Sequence, residues 1–233
     1  MLDVNRHKFL MLQILKDIYS DTELAPLLGF KGGTALMFFH DLPRFSVDLD
    51  FNLLQKETTQ QIYKKTKEIL IKYGEIIDEA QKHFGIILVL NYEQGERNLK
   101  VEISNRQYPD RYELKDYLGI SINVMVLEDM FTHKLMALLG RNVLTNRDIF
   151  DCWFYMNKRI IPNRKILKQR LTCSFPEYLD ACRKKVSQQT NSRILHGMGE
   201  LMDPDLKKWV KQNLIKEFLL LVEFYKTLNL TDS

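Results

Sequence analysis

Apolar and polar positions along the chain follow two different periods, and the change from one to the other divides it. Apolar residues recur at helical spacing over 5–19, which predicts a helix. A second, short helix is predicted over 34–40, starting from the glycine pair Gly32 and Gly33 and broken by Pro43. Residues 45–53 read FSVDLDFNL, a strict alternation that predicts a strand. A charged amphipathic helix is expected over 56–73. HFGIILVLNY at 83–92, rich in Ile, Val and Leu, reads as a strand. LKVEIS at 99–104 alternates again, with Gly95 at a plausible hairpin turn before it. A further short strand is expected over 121–126, and helices over 127–139 and 147–157.

After Pro162 only helical periods remain, over 164–171, 176–185 and 205–228. Asp203 and Pro204 give the last of these a cap and a first-turn proline. The pattern therefore predicts an α+β fold: a small mixed sheet flanked by helices over 1–157, then a helical bundle over 158–233, with the boundary near 158–163.

Composition changes this picture little. A chain of 233 residues, 45% hydrophobic and 27% charged, is long enough for a real core and has the balance of an ordinary globular protein. The first fifteen residues carry charge through their apolar stretch, unlike a signal peptide, and FLLLVEF near the end is too short to span a membrane. Cys152, Cys173 and Cys182 form no CxxC pair, which suits a reducing cytoplasm and neither a disulfide scaffold nor a zinc site. Charge is more informative. Residues 1–157 hold 19 Lys and Arg against 22 Asp and Glu, whereas 158–233 hold 15 against 8. An acidic front and a basic tail suit a polyanionic partner on the tail, or simply a lysine-rich solvated surface.

Candidate chemistry gathers between residues 30 and 54. On a strand, Asp48 and Asp50 project from one face while Val47, Leu49 and Phe51 face the other. Adjacent carboxylates repel unless a cation lies between them, and hard divalent cations take such oxygens. Glu102, between the apolar Val101 and Ile103, is the expected third carboxylate if its strand pairs in register. The Gly32–Gly33 turn lets the backbone approach a ligand, the helix behind it aims N–H groups at an anion, and Thr34 adds a hydroxyl. Each half alone is a tight turn or an exposed strand. The two together are what an enzyme needs to hold a nucleoside triphosphate with Mg²⁺.

KGGTAL at 31–36, followed by RFSVDLDF at 44–51, resembles the signature of the DNA polymerase beta-like nucleotidyltransferases, and more narrowly the AbiEii/AbiGii toxins that include the MenT branch. A second block, LEDMFTHKLMALLGRNVLTNRDIFDCWFY at 127–155, is similar to the same family's later motifs. The resemblance covers about 28–157. It implies that Gly32, Gly33 and Thr34 hold the triphosphate, with Lys31, Arg44 and Ser46 in the same nucleotide-binding string. Arg44 would touch a phosphate or brace the DLD strand. Asp48 and Asp50 would bind metal, joined by Glu102 as third ligand or as base, Lys134 would reach the phosphates, and Asp148 would complete the second motif.

Bland readings stand beside these. Lys134 on a helix is an ordinary solvated charge. Asp148 and Asp151 suit a helix start that Asn146 would cap. His133 is structural, the other histidines show no metal-ligand spacing, and the stripe from Trp153 to Met156 is core.

What the resemblance implies is an Mg²⁺-dependent nucleotidyltransferase, with Mn²⁺ as substitute metal and a nucleoside triphosphate as substrate. It would be the toxin of a toxin–antitoxin or abortive-infection pair, acting in the cytoplasm on an RNA acceptor, the tRNA 3′ end in the MenT branch. A cognate antitoxin is the implied partner; no membrane or DNA partner is expected. The competing expectations are transfer to a small molecule, as in aminoglycoside nucleotidyltransferases, transfer to a protein hydroxyl, and a binding module without turnover.

Overall fold

The computed structural model describes residues 3–55 and 59–228. By packing, the chain divides into two units: the chain up to Asp41 with Phe45–Met125, and Leu42–Arg44 with the chain from Val126 onward. The boundary expected near 158–163 therefore falls inside the second unit. Among the described residues no helix is long and apolar enough to cross a membrane.

The first unit is built on a seven-stranded mixed sheet. Its strands are β1 (Leu28–Lys31), β2 (Asp48–Leu53), β3 (Glu75–Lys82), β4 (Gly85–Asn91), β5 (Leu99–Ser104), β6 (Tyr112–Tyr117) and β7 (Ile120–Met125). They lie in the order β3-β4-β5-β2-β1-β7-β6. β2 runs parallel to β5, and β1 parallel to β7; the other neighbours are antiparallel. Helices α1 (Val4–Ser20), α2 (Gly32–His40) and α3 (Thr59–Leu70) complete the unit. The α3 start expected at 56–58 lies outside the described residues.

The alternation of β2 and β5 does what it predicts. Leu49, Phe51, Val101 and Ile103 are buried, with Phe30 packed on Phe51 at 5.3 Å between ring centres. The helix after the glycine pair stops at His40, ahead of Pro43, because Asp41 turns into the left-handed region at φ 61°. The sequence pattern misses β1, β3 and β6. β1 is four residues long, and β3 and β6 are the two edges of the sheet, where polar residues fall on both faces and blur the alternation.

The second unit is helical: α4 (Leu127–Gly140), α5 (Asn146–Asn157), α6 (Arg164–Arg170), α7 (Phe175–Ser187) and α8 (Pro204–Lys226). Asp203 caps α8 by accepting from the Leu206 amide at 2.8 Å, with Pro204 in its first turn, as expected. The cap of α5 is Thr145 and not Asn146. Asn146 instead donates its side-chain amide to the carbonyls of Arg193 and His196. Phe131 stacks on Tyr155 at 5.1 Å, and Phe154, Tyr155 and Met156 are core as expected, while Trp153 is half-buried and lies against Trp209 at 4.4 Å.

Candidate functional site

On the first unit the polar face of the central strands carries the candidate chemistry. In parallel register Asp48 lies beside Lys100 and Asp50 beside Glu102; on the other flank Lys31 lies opposite Asp50. Register partners share a face, so three carboxylates and two ammonium groups meet on one patch of sheet. The third carboxylate is thus where the alternation of LKVEIS puts it. Lys31 belongs to the expected nucleotide-binding string, but Lys100 escaped the sequence reading: a lysine alternating with a carboxylate looks like solvated strand until register sets it against an aspartate.

Gly32 closes this patch. Its φ of +82° is one that side chains resist, and a Cβ there would collide with Oδ2 of Asp50. Glycine is therefore required twice, by the backbone and by the carboxylate seated against it. Lys31, at the N-cap of α2, makes no side-chain capping bond to the first-turn amides at the positive end of the helix. Thr34 is fully buried, and its hydroxyl donates to the Asp48 carbonyl at 2.5 Å. That hydroxyl fixes helix to strand instead of facing an anion. Ser46 is also buried, with its amide N–H on Sδ of Met37 at 3.4 Å.

Electrostatics on this face follow from burial. Burial raises the Asp50 carboxyl; Lys100 and Lys31 oppose that, while Asp48 and Glu102 add to it. Burial likewise lowers the Lys31 ammonium against the pull of Asp50 and Glu102. Lys100 is held above its usual value: burial opposes this, but Asp50, Glu102 and Asp48 outweigh it. Lys100 Nζ donates to Glu102 Oε2 at 2.9 Å. Beneath the strand, buried His7 meets the Val47 carbonyl at 2.9 Å through Nε2 and the Tyr92 hydroxyl at 2.8 Å through Nδ1. Its burial lowers its pKa. His7 thereby anchors the residue before Asp48, a role that no ligand spacing in the sequence reveals.

The residue types and register of Asp48, Asp50 and Glu102 suit a hard divalent cation. Among the described residues, however, no three His, Cys, Asp or Glu side chains already converge on a point where a metal could be held. Lys100 holds an oxygen of Glu102 instead.

On the second unit the later motif forms a buried ionic network. Arg44 grips Asp151 with two bonds of 2.7 Å, from Nε and from a terminal nitrogen, and both side chains are essentially buried. Lys134 Nζ lies 3.0 Å from Asp148 and 3.0 Å from Asp151. Asp148 also accepts from the Thr145 hydroxyl at 2.8 Å and pairs with Arg141 at 3.1 Å. Burial would raise the Asp151 carboxyl, but Arg44 and Lys134 hold it below its usual value. Burial would lower Lys134, and Asp151 and Asp148 lift it instead. Of the two sequence readings of Lys134, a freely solvated charge does not fit: its side chain is 19% exposed. Arg44 and Asp151 are 107 residues apart, so nothing local in the sequence pairs them.

Comparison with known proteins agrees with this fold. A Helicobacter pylori protein, provisionally assigned as a nucleotidyltransferase with its crystal structure, shares the fold with a TM-score of 0.62 at 21% identity, over 96% of each chain. JHP933 from Helicobacter pylori shares it with a TM-score of 0.55 at 21% identity, over 97% of this chain and 95% of that one. No curated protein matches. The model of the family described as nucleotidyl transferase AbiEii toxin, type IV TA system, matches residues 13–214, and the chain belongs to that family of nucleotidyltransferases.

Proposed function

We propose that this nucleotidyltransferase moves a nucleoside monophosphate from a nucleoside triphosphate to an RNA hydroxyl, with the tRNA 3′ end as acceptor. The chemistry is assigned to residues 1–157 and acceptor binding to the basic helices of 158–233. The observation that carries the reading is the seat of Asp50, with Gly32 against its carboxylate and Glu102 beside it in register. A phosphate cradle and a carboxylate pair are thereby joined at one residue.

The chain's groups divide the work. Amides at the start of α2 would receive phosphate oxygens, assisted by the helix dipole. Asp48, Asp50 and Glu102 would hold Mg²⁺, or Mn²⁺ in its place, which when bound supplies positive charge against the triphosphate. An acceptor hydroxyl attacks the α-phosphorus, the bond to the bridging oxygen breaks, and pyrophosphate leaves. A carboxylate oxygen of Glu102 is in reach of the same face and would take the hydroxyl proton. Lys134, kept protonated by Asp148 and Asp151, retains the charge that a phosphate contact requires. Arg44 is engaged with Asp151 by two bonds, so its charge is already paired within the second unit.

An RNA acceptor is supported by the basic composition of 158–233, which would make phosphate contacts. Family membership supports a cognate antitoxin as partner. The test is incubation with Mg²⁺, total RNA and each α-labelled nucleoside triphosphate in turn, with Asp50→Ala as control. Label in the tRNA band, absent with the variant, is the expected result. Label confined to protein or small-molecule fractions overturns the RNA acceptor.

A further inference from the structure

Lys100 has no assigned part in the chemistry, yet its ammonium is bonded to one of the carboxylates. We infer that Lys100 is the resident counterion of the site, occupying Glu102 until a divalent cation displaces it. The inference rests on the proposed reading that Asp48, Asp50 and Glu102 hold a metal.

Three observations carry it. First, register places Lys100 beside Asp48 and two residues from Glu102, so the ammonium shares a face with all three carboxylates. Second, its Nζ is bonded to Glu102 Oε2 at 2.9 Å, and the attraction of Asp50 and Asp48 reinforces that position. Third, the three carboxylates do not converge as a metal cluster while the ammonium is there. A cation and an ammonium cannot both neutralise the same oxygen. At contact distances their mutual repulsion is large, and only solvent screening moderates it. Lys100 is 34% exposed and Glu102 43% exposed, so the pair is open to solvent and to an incoming cation. Such a counterion keeps a crowded acidic face tolerable before substrate arrives, and it sets a threshold for metal binding in the absence of nucleotide.

The experiment is Mn²⁺ binding to the full chain without nucleotide, read from the loss of the free Mn²⁺ paramagnetic resonance signal. It would compare wild type, Lys100→Met, Lys100→Gln and Asp48→Asn. Both residues of the pair are partly exposed, so removing the ammonium leaves the core alone, and two different replacements guard against an idiosyncratic fold defect. The inference expects both Lys100 variants to bind Mn²⁺ about tenfold more tightly, given the repulsion of like charges removed from a half-exposed site. Asp48→Asn binds more weakly. A ligand, or a lysine that merely supports the strand, would give the opposite sign at position 100. Unchanged or weaker Mn²⁺ binding in both Lys100 variants, with Asp48→Asn still impaired, overturns the counterion while leaving the metal reading intact. Mn²⁺ binding indifferent to Asp48→Asn overturns both.

Discussion

The carboxylate of Asp50 is seated against the Cα of Gly32, in the space that a side chain at position 32 would fill. Gly32→Ala therefore meets two obstacles, a left-handed backbone at φ +82° and a collision with Oδ2. Backbone strain of this kind costs roughly 1–3 kcal/mol, and displacement of the carboxylate adds to it. The expected outcome is a chain that still folds, with a lowered melting temperature and at least a tenfold loss of transfer, about the effect of misplacing one reacting group. Calorimetry and the labelling assay measure the two losses separately. Full activity in the variant would contradict the seat.

Asp50→Asn is expected to separate stability from activity. Burial and the neighbouring Asp48 and Glu102 raise the Asp50 carboxyl, and Lys100 and Lys31 only partly offset them. A carboxylate whose folded pKa is raised costs stability at every pH where the unfolded chain would ionise it, that is, above about 4. The neutral isostere removes that cost. The metal-free variant should melt at a higher temperature than wild type at pH 7 while transferring no nucleotide. It should also lose the melting-temperature rise that Mg²⁺ and a nucleoside triphosphate together give the wild type.

Thr34 makes a narrower case. Its hydroxyl donates to the Asp48 carbonyl from a fully buried position. Thr34→Ser keeps the donor and should retain most activity. Thr34→Val keeps the shape but removes a bond to a strand carbonyl, a loss of about 0.5–1.5 kcal/mol. Urea unfolding of the pair resolves that difference. If the hydroxyl instead served a phosphate, Thr34→Val would raise the KM for nucleotide with little change in unfolding.

What the sequence disclosed depended on the range of the signal. Alternation in DLD and LKVEIS is local, so it revealed both strands and the face that Asp48, Asp50 and Glu102 share. It carried no information on strand order, so Lys100 went unnoticed, and the place of Lys31 opposite Asp50 was hidden, until β1 and β5 were found flanking β2. Edge strands β3 and β6 lack a buried face on which alternation could be read. Thr34 looked like an anion ligand because hydroxyls follow phosphate-binding glycines; only the packing of α2 on β2 turns it inward. Asp151 was read as a helix-start charge, since its partner Arg44 lies 107 residues earlier.

That distant pair should contribute to the acid limit of the fold. Arg44 and Asp151 form a buried two-bond contact, and Lys134 adds a third charge at 3.0 Å. Arg44 and Lys134 overcome burial to hold the Asp151 carboxyl below its usual value. A lowered carboxylate contributes stability that is fully present above its unfolded pKa, about 4, and is lost as pH falls through the folded value. Melting temperature should therefore drop on acidification below about pH 4 and change little through this pair between pH 5 and 8. Removing one partner leaves the other charge buried, so Arg44→Met and Asp151→Asn should each cost roughly 3–5 kcal/mol. The double variant should lose less than the sum of the two, because neither charge is then stranded. Asp151→Asn should also flatten the acid limb of the melting curve. Additive losses with an unaltered acid limb would show that Arg44 and Asp151 act independently.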